Sequence, residues 1–399
     1  MRNHLLLSVL LIYTSFISCN SDRHNSENTL AANDSKDILV SSEGKDPMHL
    51  LTDRPPNLET PQKYFLEDFT PNKVFFVRWH LSGLPRSIDP DTFRLRITGH
   101  VKKEISLSLA DLKTKFKPFS IVALAECAGN SRSAFNPPVP GAPWKNGSMR
   151  NARWTGVTIK DIIEMAGLKP GAREISFNGM DSPPLPSVPD FVKSLKLDHA
   201  MDGEVMIAYE MNGEPLPLLN GYPLKLVVPG WYATYWIGML NEVKVYADTF
   251  KGFWMDKAYL IPKNSVNGNE SPDSLSKEMK PISKLDIRSI FVSPEDGKTI
   301  GAGKEVEIQG LAFDAGYGIT KVEISADSGK TWAKAALDPE IGKYSWRRWR
   351  YRWTPATSGS FHFRVKATNS IGETQPEHQW NRSGYMKNEI EILDLIVKE

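Results

Sequence analysis

The sequence predicts an α+β protein: a mixed α+β domain followed by a β-sandwich. Three observations carry this reading. Between residues 71 and 262, short runs of helical period are interleaved with short runs that alternate. From 263 to 281 a polar stretch containing Gly268, Pro272 and Pro281 reads as a linker. From 282 to 399 the pattern alternates, in short runs separated by turn signals. A chain of 399 residues is long enough for two such cores.

Over 71–262, Phe93 to Gly99 alternates like a strand that stops at glycine. Ser108 is a capping-type residue ahead of a short helix reaching Lys115. Ile121-Val122-Ala123-Leu124-Ala125 is an apolar strand ending just before Cys127. Val157 to Gly167 has apolar residues at helical spacing, with Gly167 as its stop. Leu224 to Val228 is a β run closed by Pro229-Gly230. Over 282–399, Val306 to Gly310, Lys321 to Ser325, Tyr344 to Trp353 and Phe361 to Ala367 alternate. Asp327-Ser328-Gly329 and Ser358-Gly359 supply turns, and the spacing is that of an immunoglobulin-type sandwich.

Within it, Arg347-Arg348-Trp349-Arg350-Tyr351-Arg352-Trp353 interleaves basic and aromatic residues. That pattern suits a clamp on nucleic acid, but a strand with one basic and one aromatic face explains it equally. A net charge of +2 provides no overall field for nucleic acid. The strand reading is preferred, with the basic face left for a partner or an anion.

The N-terminus carries Arg2, an apolar run from Leu5 to Ile17, then Ser18-Cys19-Asn20. The run is too short to span a bilayer and reads as a signal peptide over 1–19. Phe16-Ile17-Ser18-Cys19 is similar to a lipobox, which makes Cys19 a lipid anchor; plain secretory cleavage is the alternative. Residues 20–70 are polar and read as a flexible tether. The expected location is outside the cytoplasm, periplasmic or as a membrane-anchored lipoprotein, touching the membrane only through Cys19.

With Cys19 set aside, Cys127 is the one remaining cysteine. It sits in Ala125-Glu126-Cys127-Ala128-Gly129-Asn130-Ser131-Arg132-Ser133. A thiol near arginine is placed for reactivity or for a soft or high-valent metal. A small buried hydrophobe is the competing reading.

The motif Cys127-Ala128-Gly129-Asn130-x-Arg132, followed by Trp144-x-x-Gly147 and Asn151-Ala152-Arg153-Trp154-x-Gly156-Val157, resembles the sulfite oxidase family of molybdenum enzymes. The resemblance extends through Phe75-Phe76-Val77-Arg78-Trp79-His80-Leu81, Ala208 to Pro217, and Val227-Val228-Pro229-Gly230. It resumes in Asp327 to Trp332 and in Trp380-Asn381-Arg382-Ser383-Gly384. It implies a molybdenum–molybdopterin cofactor, with Cys127 as the protein's metal ligand. It further implies Arg78, Arg132, Trp144 and Tyr259 as catalytic residues. Phe76, Arg78, His80, Asp181, Asn220 and Lys225 match positions that bind the cofactor.

The resemblance implies oxidation of sulfite to sulfate by oxygen-atom transfer and a homodimer formed through the C-terminal domain. No Cys-x-x-Cys-His for haem is found, so electrons would pass to an external acceptor such as a c-type cytochrome. No Gly-x-Gly-x-x-Gly points to a nicotinamide. Two alternatives are a sulfoxide-type reductase with the same cofactor and a cofactor-free binding lipoprotein.

The sequence departs from the animal pattern in several places. Asn220 replaces a histidine, Lys225 and Ser131 replace arginines, Trp79 an asparagine and Gly238 a lysine. Aligning Val322-Glu323-Ile324-Ser325 puts Tyr317 where a substrate-pocket arginine is expected. Only Arg2 precedes the apolar run, so the twin-arginine signal usual for exported molybdenum enzymes is missing.

Overall fold

The computed structural model describes residues 39–40, 44–264, 266 and 268–399. The signal peptide and lipobox of 1–19, and the tether as far as residue 38, lie outside the described residues. Among the described residues no helix is long and apolar enough to cross a membrane.

The fold is mostly sheet. Four α-helices occur among the described residues, the longest being Ile159–Ala166, so the α+β expectation is met only loosely. Leu109–Lys115 begins where expected. The Ser108 hydroxyl accepts from the Asp111 N–H at 3.0 Å, and the Asp111 carboxylate accepts from the Ser108 N–H at 2.9 Å. Such a box satisfies two orphan donors of the first turn. Ile159–Ala166 starts later than its apolar spacing suggests. Val157 and Thr158 still belong to strand Met149–Thr158, and Thr158 then caps the helix. Gly167 ends it at φ 67°, as expected.

Two five-stranded sheets frame the N-terminal domain. One runs Lys193–Lys196, Glu174–Gly179, Leu240–Tyr246, Leu95–Gly99, Ile105–Leu107, with a parallel pair between the third and fourth. The other runs Glu214–Pro215, Met206–Met211, Met149–Thr158, Phe119–Glu126, with Lys225–Val227 added against Met206–Met211. Phe119–Glu126 is the strand expected before Cys127, and its last pairing is Glu126 with Met149.

The tether does not extend to residue 70. Met48–Thr52 pairs with Asn57–Glu59, which pairs with Val77–Arg78. Met48 and Leu58 are buried. The segment is polar, but it is fastened by hydrogen bonds that hydropathy does not register. Lys45 Nζ donates to the Asn72 and Phe75 carbonyls at 2.8 and 3.0 Å and to Asn220 Oδ1. Residues 263–281 are likewise more than a linker. Leu260–Pro262 pairs with Met279–Pro281, and Glu270 accepts from Arg382 Nε at 3.0 Å.

The C-terminal domain has a core between its sheets that includes Ile308, Trp349, Phe363 and Leu395. The Asp327-Ser328-Gly329 turn is present, with Ser328 and Gly329 at positive φ. The basic run is strand Arg347–Trp353, as preferred, but it offers no free basic face. Arg348 lies 3.1 Å from Asp68 and 3.2 Å from Asp338, which also pairs with Arg350. Arg347 faces Glu340, and Arg352 faces Glu305 and Glu307. The N-terminal and C-terminal domains share a core: the main apolar cluster includes Phe65, Cys127 and Trp154 together with Ile282, Ile290, Leu311 and Met386.

Candidate active site

Cys127 follows directly on its strand, and its N–H donates to the Ser148 carbonyl at 2.9 Å. Its own carbonyl accepts from Asn130 N–H at 2.9 Å, closing a turn in which Ser131 takes φ 62°. The next carbonyl, of Ala128, accepts from Met386 N–H at 2.8 Å. The cysteine loop is thus clamped by the C-terminal domain.

Phe76, Arg78, His80, Cys127, Asp181, Asn220, Lys225 and Tyr259 line one cleft, joined by Trp79, Phe191 and Trp236. Eight of the residues named from the sequence therefore lie around one cleft. Tyr259 sits at φ 55°, a conformation that non-glycine residues adopt at a cost of about 1–3 kcal/mol and that tends to mark functional sites. Its hydroxyl is in hydrogen-bond contact with His80 Nε2 and accepts from Arg78 NH2 at 3.5 Å.

Arg132 and Trp144 do not line this cleft. Arg132 is buried, donating through Nε to the Gly384 carbonyl and through NH1 to the Ala142 carbonyl, both at 3.0 Å. Trp144 is in the core, 1 % exposed. Ser133 N–H donates to its carbonyl at 3.1 Å and Ser131 N–H to that of Lys145 at 2.8 Å, which folds this short loop inward. Tyr317 is also outside the cleft: it borders a different groove and accepts from Lys284 Nζ at 3.1 Å.

Sequence reasoning misses three polar groups at the site: Lys45, Lys193 and Tyr385. Lys45 lies in the stretch expected to be a tether. Lys193 is 1 % exposed and places its ammonium 5.2 Å from the Tyr259 ring centre. Tyr385 directly follows the Trp380–Gly384 motif, and that adjacency is the available signal. Its ring stacks on Tyr259 with 5.2 Å between centres, and the Arg132 guanidinium lies 5.0 Å from its ring centre.

Burial dominates the electrostatics. It holds His80 well below its usual range, helped by Arg78 and Lys193, so the imidazole is neutral. Burial pushes the Tyr259 phenol up, so it stays protonated. Lys45 is pulled down to about 7 by burial and then by Lys225, and Lys225 to about 8 by burial. Asp181 is pushed up to about 7 by burial and then by Asp190.

A pH dependence follows. Lys45 and Lys225 lose their protons in the folded protein near pH 7–8 but keep them in the unfolded chain to about 10.4. Between these limits the unfolded state binds more protons, so these lysines make stability rise with pH. Cofactor-free protein is expected to gain stability from about pH 7 to about 9.5, and Lys45→Met should flatten that slope. Urea denaturation across this range checks it; an unchanged slope in the variant would exclude Lys45.

Glycine is required beside Arg132. A Cβ on Gly129 would lie 2.4 Å from Arg132 NH2. Gly129→Ala is therefore expected to displace the guanidinium and lower stability by about 1–3 kcal/mol. Thermal melts against wild type test this.

The family model for the oxidoreductase molybdopterin binding domain matches residues 81–254, and that for the Mo-co oxidoreductase dimerisation domain matches 279–391. Sulfite oxidase from Gallus gallus is 30% identical over 374 residues, covering 89% of this chain and 80% of its own. The chain belongs to the sulfite oxidase family of molybdenum-dependent oxidoreductases. Mitochondrial sulfite oxidase of Rattus norvegicus is 34% identical over 359 residues, 86% of this chain; the chain spans 64% of that relative's length. In fold this family member is similar to the sulfane dehydrogenase SoxCD from Paracoccus pantotrophus, with a TM-score of 0.72, 22% identity and 96% of each chain covered.

The cleft fits the cofactor of this family, molybdenum bound by molybdopterin. It presents a thiol and the Arg78 guanidinium, with Lys225 and, bonded to Asn220, Lys45, the two lysines that burial pulls down; none of the three basic groups forms an ion pair among the described residues. A cation taken out of water without a counter-charge is costly unless an anion joins it. A phosphate-bearing pterin supplies that anion.

Proposed function

We propose that this protein oxidises sulfite to sulfate and passes the electrons to an external acceptor such as a c-type cytochrome. The single observation carrying this reading is the convergence of Cys127, Arg78, His80 and Tyr259 on one cleft with unpaired basic groups. Cys127 would hold the metal. Lys45, Lys225, Asn220 and Asp181 would hold the pterin and its phosphate. Bound there, the molybdenum centre supplies two-electron oxygen-atom transfer.

The chain's own residues do the rest. Arg78 offers a permanent charge to an oxyanion, in a site where burial strengthens the attraction. Arg132 adds positive charge from behind Tyr385. Tyr259 stays protonated and can donate to a substrate oxygen, while neutral His80 orients its hydroxyl. Aromatic walls from Phe191, Trp79 and Trp236 keep bulk water away. In net terms sulfite gains one oxygen from water and releases two electrons and two protons.

The reading includes a homodimer formed by an immunoglobulin-like C-terminal domain, export, and a lipid anchor on Cys19. The match of residues 279–391 to a dimerisation domain supports the dimer.

A substrate panel tests the function. Molybdenum-loaded protein should reduce ferricytochrome c with sulfite and remain inert toward methionine sulfoxide with a reduced dye as donor. Turnover of the sulfoxide alone would overturn the assignment. Arg78→Met should raise the sulfite KM about tenfold, the scale of one charged hydrogen bond; an unchanged KM removes Arg78 from substrate binding.

A further inference from the structure

Tyr385 is not accounted for by the proposed reaction. It comes from the C-terminal domain yet lies against the catalytic cluster. The segment carrying it is rigidly held. Asn381 Nδ2 donates to the Tyr385 carbonyl at 2.9 Å, and Asn381 Oδ1 accepts from Tyr385 N–H at 3.3 Å. On one side Gly384 is bonded to Arg132, and on the other Met386 is bonded to the Ala128 carbonyl. Gly384 and Met386 both take positive φ, at 62° and 59°. Tyr259 and Met386, two of the six non-glycine residues at positive φ among those described, flank Tyr385 as its stacking partner and its chain neighbour. Strain concentrated in this way marks positions that the surrounding structure fixes for a purpose.

The ring of Tyr385 lies nearly parallel to that of Tyr259, with an interplanar angle of 16°. The Arg132 guanidinium is held at 5.0 Å from its centre. Through its stacking on Tyr259 the ring adjoins the cleft that Arg78 and Cys127 line. The backbone of Tyr385 is fully engaged, whereas its hydroxyl has no hydrogen-bond partner among the described residues. Burial keeps that phenol protonated and able to donate.

We infer that Tyr385 is a second substrate-contacting phenol, donating to the oxyanion beside Tyr259 and completing the anion site from the C-terminal domain. This rests on the oxyanion substrate proposed above. Each of the two stacked phenols would donate to a different oxygen of one anion. Tyr385 therefore acts as a specificity residue for small oxyanions, and its role is ground-state binding.

The test compares wild type, Tyr385→Phe and Asn381→Ala as full-length molybdenum-loaded protein. Phenylalanine keeps the ring stacking and the Arg132 contact and deletes only the hydroxyl. Two readouts are taken: sulfate affinity by calorimetry, which needs no turnover, and sulfite KM and kcat. Tyr385→Phe is expected to weaken sulfate binding and raise KM about tenfold, with kcat within about twofold. Asn381→Ala, which loosens the segment, should weaken sulfate binding in the same direction. Sulfate affinity unchanged in Tyr385→Phe overturns the inference, as does a wild type that binds no sulfate. A fall in kcat with unchanged sulfate affinity also overturns it, pointing to a role after binding. A wild type that binds sulfate tightly but does not oxidise sulfite overturns the proposed function, and the sulfate comparison still decides Tyr385.

Discussion

Cys127→Ser is expected to yield a folded protein that retains little molybdenum and turns over sulfite at least about a hundredfold more slowly. Loss of a partner in the outer shell of a metal site already costs roughly 10–100-fold in affinity or activity, and loss of the protein's own thiolate should exceed that. The fold should survive because serine is close to cysteine in size. The loop around Cys127 is held by backbone bonds at Ser148, Asn130 and Ala128, none of which involves the sulfur. Circular dichroism, metal analysis and a sulfite assay on the same preparation check all three statements. A variant with full molybdenum content and normal turnover would remove Cys127 from the ligand role.

The largest loss of stability is expected from Arg288→Met. Arg288 belongs to the C-terminal domain, is 2 % exposed, and ties it to the cysteine loop. Its guanidinium donates to Ser131 Oγ at 2.8 Å and Asn146 Oδ1 at 3.1 Å, and lies 3.3 Å from Glu391. It also stands 3.6 Å from Glu126, an ion pair too long for a hydrogen bond. Removing one partner of a buried pair strands the other charge, at about 3–5 kcal/mol. Burial already pushes Glu126 up to about 7, opposed chiefly by Arg288.

Without Arg288 the Glu126 carboxyl should hold its proton to still higher pH. The folded variant then binds more protons than the unfolded chain above about pH 4.3, so its stability falls as pH rises. The deficit against wild type should therefore be larger at about pH 8 than at about pH 6. Denaturant titrations at both values measure it, and a deficit below about 1 kcal/mol at the higher pH would show that the pair carries little.

The principal strands, the capped helix at Ser108 and the β-rich C-terminal domain are legible in the sequence, because each depends on local period or local side-chain chemistry. Eight cleft residues are legible through motif resemblance, and they do converge. What escapes depends on long-range contacts. Lys45 sits in a polar segment whose order comes from carbonyls at Asn72 and Phe75. Arg132 and Trp144 are expected at the pocket, but the loop between them packs inward around Gly129, Gly141 and Gly384, each of which brings backbone close to the guanidinium. Tyr317 is reached by aligning a strand, and such an alignment fixes a position along the chain but not which groove its side chain borders. Tyr385 reaches the site because Met386 and Gly384 bend at positive φ, and for methionine that conformation has no signature in the residue type.

The most direct test of sulfite oxidation is the yield of sulfate per electron pair delivered to ferricytochrome c, by protein of measured molybdenum content. One sulfate for every two cytochromes reduced, at a rate proportional to bound molybdenum, is the expected result. Molybdenum-loaded protein that reduces cytochrome c without forming sulfate, or that leaves sulfite untouched, would contradict it.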